Sequence, residues 1–126
     1  MRGTSRGGEM NLEPTDDELD TWAAKFLGWT PSPTFPGWWV ERKGSDLIHV
    51  IPVDDFHPTR PGHEHQAMMV VRKMVKNEWV WDADGDDGHN RFTFAKGRIN
   101  EYAVDPDIGR AIILAAKRAM EAQDAL

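Results

Sequence analysis

The segment from Pro106 to Gln123 constrains this chain most. If it is helical, Ile108, Ala111, Ile112, Ala115, Ala119 and Ala122 share one side, and Ile113, Ala116 and Met120 widen it. An apolar face this broad must be buried, and its alanines let it lie flat on a surface such as a sheet. Asp105 is placed to cap the helix and Pro106 to occupy its first position.

Two further helices are predicted. Thr15 and Glu18 form a capping box after Pro14, with Asp16 and Asp17 in the first turn where the helix dipole favours acids. Leu19, Trp22, Ala23, Phe26 and Leu27 follow as one stripe, and Gly28 suits a left-handed end. The spacing also predicts a helix over His63–Lys76 that buries Ala67, Met68, Val71, Met74 and Val75.

Five strands supply the surface to be covered: Trp38–Arg42, Asp46–Ile51, Glu78–Asp82, Arg91–Ala95 and Ile99–Val104. Lys43-Gly44-Ser45 and Lys96-Gly97 read as turns, as does the acidic-glycine stretch Ala83–Asn90. Trp29–Gly37 and Pro52–Gly62 are proline-rich and read as loops. Strands in groups among amphipathic helices predict an α+β fold with a mostly antiparallel sheet.

Three pieces in order, AAKFLGW (Ala23–Trp29), AMMVVRKM (Ala67–Met74) and AIILAAKRAM (Ala111–Met120), resemble the phage ABA-sandwich family. The resemblance covers about residues 16–122. It implies an α/β/α sandwich, here a central sheet of about five strands with three helices, encoded by a phage or prophage. It implies no activity. Where family members carry a Tyr, a Ser and an Asp before the middle helix, this chain has Phe56-His57-Pro58 and His63-Glu64-His65.

The chain of 126 residues suits one domain, expected over residues 14–123. Residues 1–13 are expected to be disordered. Arg6-Gly7-Gly8-Glu9 also matches what a ribosome-binding sequence would encode, which would put the native start at Met10. No apolar run reaches the length of a membrane helix, and no signal peptide is read, so a cytoplasmic protein, in the infected bacterial host, is expected. Without cysteine there is no thiolate chemistry, and a net charge of −6 disfavours general nucleic-acid binding.

No serine elbow, phosphate loop or cofactor motif is present, so no cofactor and no catalytic residue are expected. His57, His63 and His65 lie close in sequence beside Asp54, Asp55 and Glu64, donors suited to a divalent metal. On a helix, however, His63 and His65 would point about 200° apart. Asp82, Asp84 and Asp86 have calcium-loop spacing, yet Asp87 replaces the turn glycine and Thr93 the closing glutamate.

The tryptophans are the more informative group. Trp38 and Trp39 are consecutive on a strand and cannot both face the same core. With Trp79 and Trp81, an exposed member would suit a protein interface or base stacking, and Arg42, His49, Arg91 and Arg98 could supply donors. Three functions follow. The first is a non-enzymatic phage accessory protein that binds a host protein, as an inhibitor of a bacterial defence system. The alternatives are a sponge for a small nucleotide signal and a metal-dependent enzyme using the His57–His65 loop. A homodimer through a sheet edge or the last helix is also open.

Overall fold

The computed structural model describes residues 13–126. The expectations for residues 1–12, including a start at Met10, lie outside them. The order of elements is α1 (Asp16–Phe26), β1 (Thr30–Pro31), β2 (Trp38–Lys43), β3 (Asp46–Pro52), a 3-10 turn (Val53–Asp55), α2 (Glu64–Lys76), β4 (Val80–Asp86), β5 (His89–Lys96), β6 (Ile99–Asp105) and α3 (Ile108–Asp124). The fold is α+β.

The strands do not form one sheet of five. They form two antiparallel sheets of three, ordered β1-β2-β3 and β4-β5-β6. The additional strand comes from the segment read as a loop: Thr30 pairs with Val40 and Pro31 with Trp39. Proline is tolerated there because β1 is an edge, where a missing N–H removes no ladder bond. β3 and β4 are joined through the 3-10 turn, a loop and α2.

The acidic-glycine stretch is also not the long turn that its composition suggests. Val80–Asp86 and His89–Lys96 are both strands, paired from Val80–Ala95 to Asp86–His89, with only Asp87-Gly88 between them. Both turn residues have positive φ, 48° and 79°, as a two-residue hairpin requires. Asp82, Asp84 and Asp86 therefore alternate along a strand and do not encircle an ion.

α3 occupies the centre. Gly109, Ala111–Ala116 and Ala119 are all buried, so the helix is covered on more than one side. β5 and β6 pack on one side through Phe92, Phe94 and Ala103, and α1 and α2 pack on another. Its N-terminus lies later than predicted: Asp107 is the N-cap, and Asp105 accepts the Asp107 N–H at 2.9 Å. With all three helices on one side of β4-β5-β6, no element among the described residues covers the other face of that sheet, and Val80, Tyr102 and Val104 are exposed. An α/β/α sandwich is not formed.

α1 has the predicted capping box, and Gly28 (φ 92°) ends it. The Trp29 N–H reaches Ala24 O and the Gly28 N–H reaches Lys25 O, each at 3.0 Å, a paired closure that needs a left-handed residue. α2 begins one residue later than predicted and buries Gln66, Ala67, Val70, Val71 and Met74. Val75, expected inside, is exposed because the buried stripe is turned toward Gln66 and Val70.

Among the described glycines, Gly109 has the least room. A Cβ there would collide with the Pro58 carbonyl, so α3 lies directly against the backbone before α2. Gly109→Ala is expected to lower stability by about 1–3 kcal/mol through overpacking, despite the better helix propensity of alanine. A fall in the urea midpoint at unchanged slope would show it.

Candidate functional site

Two regions carry features beyond packing. The first is a buried polar network under the loop that contacts α3. Asp20 sits on the buried side of α1, with Ala23 and Ala24 three and four residues on. Its Oδ1 accepts the Thr59 N–H at 3.1 Å and the Thr59 hydroxyl at 2.9 Å. Its Oδ2 lies 3.1 Å from His57 Nδ1. Gln66 of α2 closes the other side: Oε1 accepts the His57 N–H at 2.8 Å, and Nε2 donates to Asp55 O at 2.7 Å.

His63 Nδ1 is 3.2 Å from the same Gln66 Oε1. The rings of His57 and His63 are 6.3 Å apart, and those of His63 and His65 are 6.2 Å apart. His57 and His63 thus turn Nδ1 toward Asp20 and Gln66, while His65 is exposed on α2. Among the described residues, no group of three or more histidines and carboxylates is arranged to hold a metal ion. Between the histidines, the Glu64 carboxyl is held below the usual carboxylate range, mainly by the backbone N–H groups of Gly62 and of Glu64 itself. This network ties the loop to α1 and α2.

The second region is the outer face of β1-β2-β3. Trp39 and Trp38 point to opposite sides. Trp39 is buried with Ile51, Val53 and Phe56, and Trp29 meets Phe56 edge-on at 4.8 Å. Trp38 is 40% exposed. Beside it, Ser32, Thr34, Phe35, Val40, Arg42, Leu47 and Val50 complete a groove of about 380 Å³. Val40 is its buried floor, whereas Phe35, Leu47 and Val50 are exposed. A bulge adds to this apolar surface: Glu41 pairs with His49 but Arg42 with Leu47, so Ile48 is an extra, exposed residue.

The eight residues expected to serve a partner or ligand do not converge. Trp38 and Arg42 line the groove. Trp39 and His49 belong to the other face, where His49 stacks on Trp29 at 5.1 Å. Trp79 is buried below the second sheet, and Trp81 stacks on Phe92 at 5.1 Å. Arg91 lies over the Tyr102 ring at 5.4 Å, and Arg98 is in the β5–β6 turn. Of the eight, Trp38 and Arg42 share the groove, and the other six do not join them there.

Sequence reading passed over Phe35, Val40, Leu47 and Val50 in the groove, and Asp20, Thr59 and Gln66 in the network. Asp20 was detectable, as an acid on the apolar side of its helix. Phe35 was not, because only the fold of the proline-rich segment brings it beside β2. Compared with known proteins, the chain matches no family model, no curated protein and no solved structure.

Asp20→Ala strands the Thr59 and His57 donors in a buried site and is expected to cost about 2–3 kcal/mol. His65→Ala, at an exposed position, is expected to stay within about 0.5 kcal/mol of the parent. Parallel denaturant titrations compare the two.

Proposed function

We propose that this chain is a non-enzymatic binding protein that docks a partner protein in the groove on the outer face of β1-β2-β3. The observation that carries this reading is the exposure of Trp38 beside Phe35, Leu47 and Val50 over the Val40 floor. Tryptophan and arginine are enriched among the few residues that carry most of the energy of a protein interface, and both are present here. Apolar surface gathered in one groove differs from scattered exposed side chains, which need no explanation.

The lining chemistry also describes the partner. Arg42 is the only charged residue among the groove's lining residues, and Ser32 Oγ is occupied by the N–H groups of Thr34 and Phe35. A partner that inserts an apolar side chain and offers a carboxylate to Arg42 satisfies both demands. A nucleoside di- or triphosphate would bring more phosphate charge than the one guanidinium of the groove can meet.

The setting of the proposal rests on the three sequence pieces that resemble the phage ABA-sandwich family, and not on the fold. The partner is then a host protein met in the cytoplasm of an infected bacterium, and the role is inhibition of a defence component. No helix among the described residues is long and apolar enough to cross a membrane.

The test compares parent, Trp38→Ala and Leu47→Asp proteins as baits in host lysate, with each captured candidate then purified and titrated against all three. The expected result is one partner whose affinity falls about tenfold or more with either substitution and is unchanged by His65→Ala. Equal affinity for all the variants would overturn the proposal, as would stoichiometric nucleotide on the purified parent in native mass spectrometry.

A further inference from the structure

Four strands form sheet edges, and three of them are short, interrupted or occupied. β1 is two residues long and contains Pro31. β3 is broken by the bulge at Ile48 and ends in Pro52. On β6, the Tyr102 carbonyl accepts a bond from Arg118 Nη1 of α3 at 2.9 Å. β4 has none of these features. It pairs with β5 without irregularity from Val80 to Asp86, and all seven of its residues are exposed. Alternate side chains of a strand point to opposite faces, so β4 is uncovered on both.

The two-residue turn closes on the Asp86–His89 pair. Val80, Asp82, Asp84 and Asp86 therefore bond to β5, while Trp81, Ala83 and Gly85 turn N–H and C=O to the open side. The Gly85 N–H is accordingly available to Asp84 Oδ1, which accepts it at 2.8 Å. Trp81 and Ala83 keep their outward backbone groups. Trp81 shares the face of Phe92 and Phe94 and stacks on Phe92, yet it is 45% exposed. On the other face Asp82, Asp84 and Asp86 stand in one row. None of the three takes part in an ion pair among the described residues. Arg91, opposite Asp84 in register, lies over the Tyr102 ring instead.

We propose that β4 receives, as a fourth strand of its sheet, an extended segment of a partner protein in which lysine or arginine alternates with apolar residues. The strand period of two makes both demands at once. Basic residues of the added strand fall opposite the row of acids, and the residues between them fall beside Trp81 and Ala83. Main-chain bonds to Trp81 and Ala83 supply affinity, and the alternating side chains supply selectivity. Charge decides the occupant. A second copy paired antiparallel and centred on Ala83 would set Asp82 against Asp84, which like charges disfavour. A basic strand turns the same row from a barrier into a complement. This inference is independent of the groove, which lies on the other sheet and is lined by Trp38.

The probes are the end-blocked peptide Ser-Lys-Val-Lys-Val-Lys-Ser, its analogue N-methylated at both valines, and a peptide with glutamate in place of each lysine. Each is titrated into the full chain and followed by amide chemical shift and hydrogen exchange. The parent is expected to bind the lysine peptide, with the Trp81 and Ala83 amides becoming protected. N-methylation is expected to raise Kd about tenfold or more by removing the main-chain donors, and so is Asp82→Asn combined with Asp84→Asn. The glutamate peptide should not bind. Ala83→Pro removes an outward N–H at an edge position that tolerates proline, and should weaken binding as well. Circular dichroism confirms that each variant is folded, and the N-methylated peptide tests the same bond without altering the protein. Trp38→Ala should bind the lysine peptide as the parent does, which separates failure here from failure of the groove. Absence of binding at millimolar peptide overturns the proposal. Equal affinity for the N-methylated peptide also does, because attraction between charges alone would then suffice, as does binding indifferent to loss of the two carboxylates.

Discussion

α3 is buried on nearly every side, and the other elements are arranged around that fact. Ala111, Ala115, Ala116 and Ala119 are small enough for neighbours to approach closely, while Ile112, Ile113 and Leu114 fill the spaces between them. Burying the larger three contributes about 1.5–3 kcal/mol each, more than any polar contact at the surface provides. At its N-terminal end, Gly109 admits the backbone of Pro58. Arg110 next to it binds Asp16, Asp105, Glu13 and Pro14 O, drawing the start of α1 onto α3. Burial alone would lower the Arg110 pKa, but its bonds to Asp16, Asp105 and Glu13 outweigh that and raise it.

Because α3 lies between the helices and β4-β5-β6, the helices are used up on one face of that sheet. The small sheet is then held through Trp39, Ile51, Val53, Phe56 and Trp29 on its inner side, and no element among the described residues covers its outer side. The polar network of Asp20, His57, Thr59 and Gln66 works from beneath. It holds the connection from β3 to α2 in one conformation, and so fixes where the small sheet is attached. Asp20 accepts from Thr59 and meets His57, while Gln66 bridges His57 and Asp55, so the network works as a bracket.

The local elements were legible in the sequence where one segment satisfied itself. The capping box and glycine end of α1, the period of α3, and the alternation that separates Trp38 from Trp39 depend on nearest neighbours along the chain. Strand pairing was less so. Thr30–Pro31 became a strand because β2 was there to receive it, and the acids of β4 became strand residues because Asp87-Gly88 alone suffices to turn the chain. Composition had pointed to loops in both places.

By itself the sequence determined three helices, five of the six strands and a chain without cysteine or recognisable catalytic motif, since periodicity, caps and residue chemistry are local properties. Tertiary structure decided that the strands divide into two sheets and that all helices lie on one side. It also decided that Phe35, Val40, Leu47 and Val50 join Trp38 in a groove, while His49 turns to Trp29. Those outcomes depend on which distant surfaces meet when α3 is buried, and one-dimensional spacing does not encode that directly.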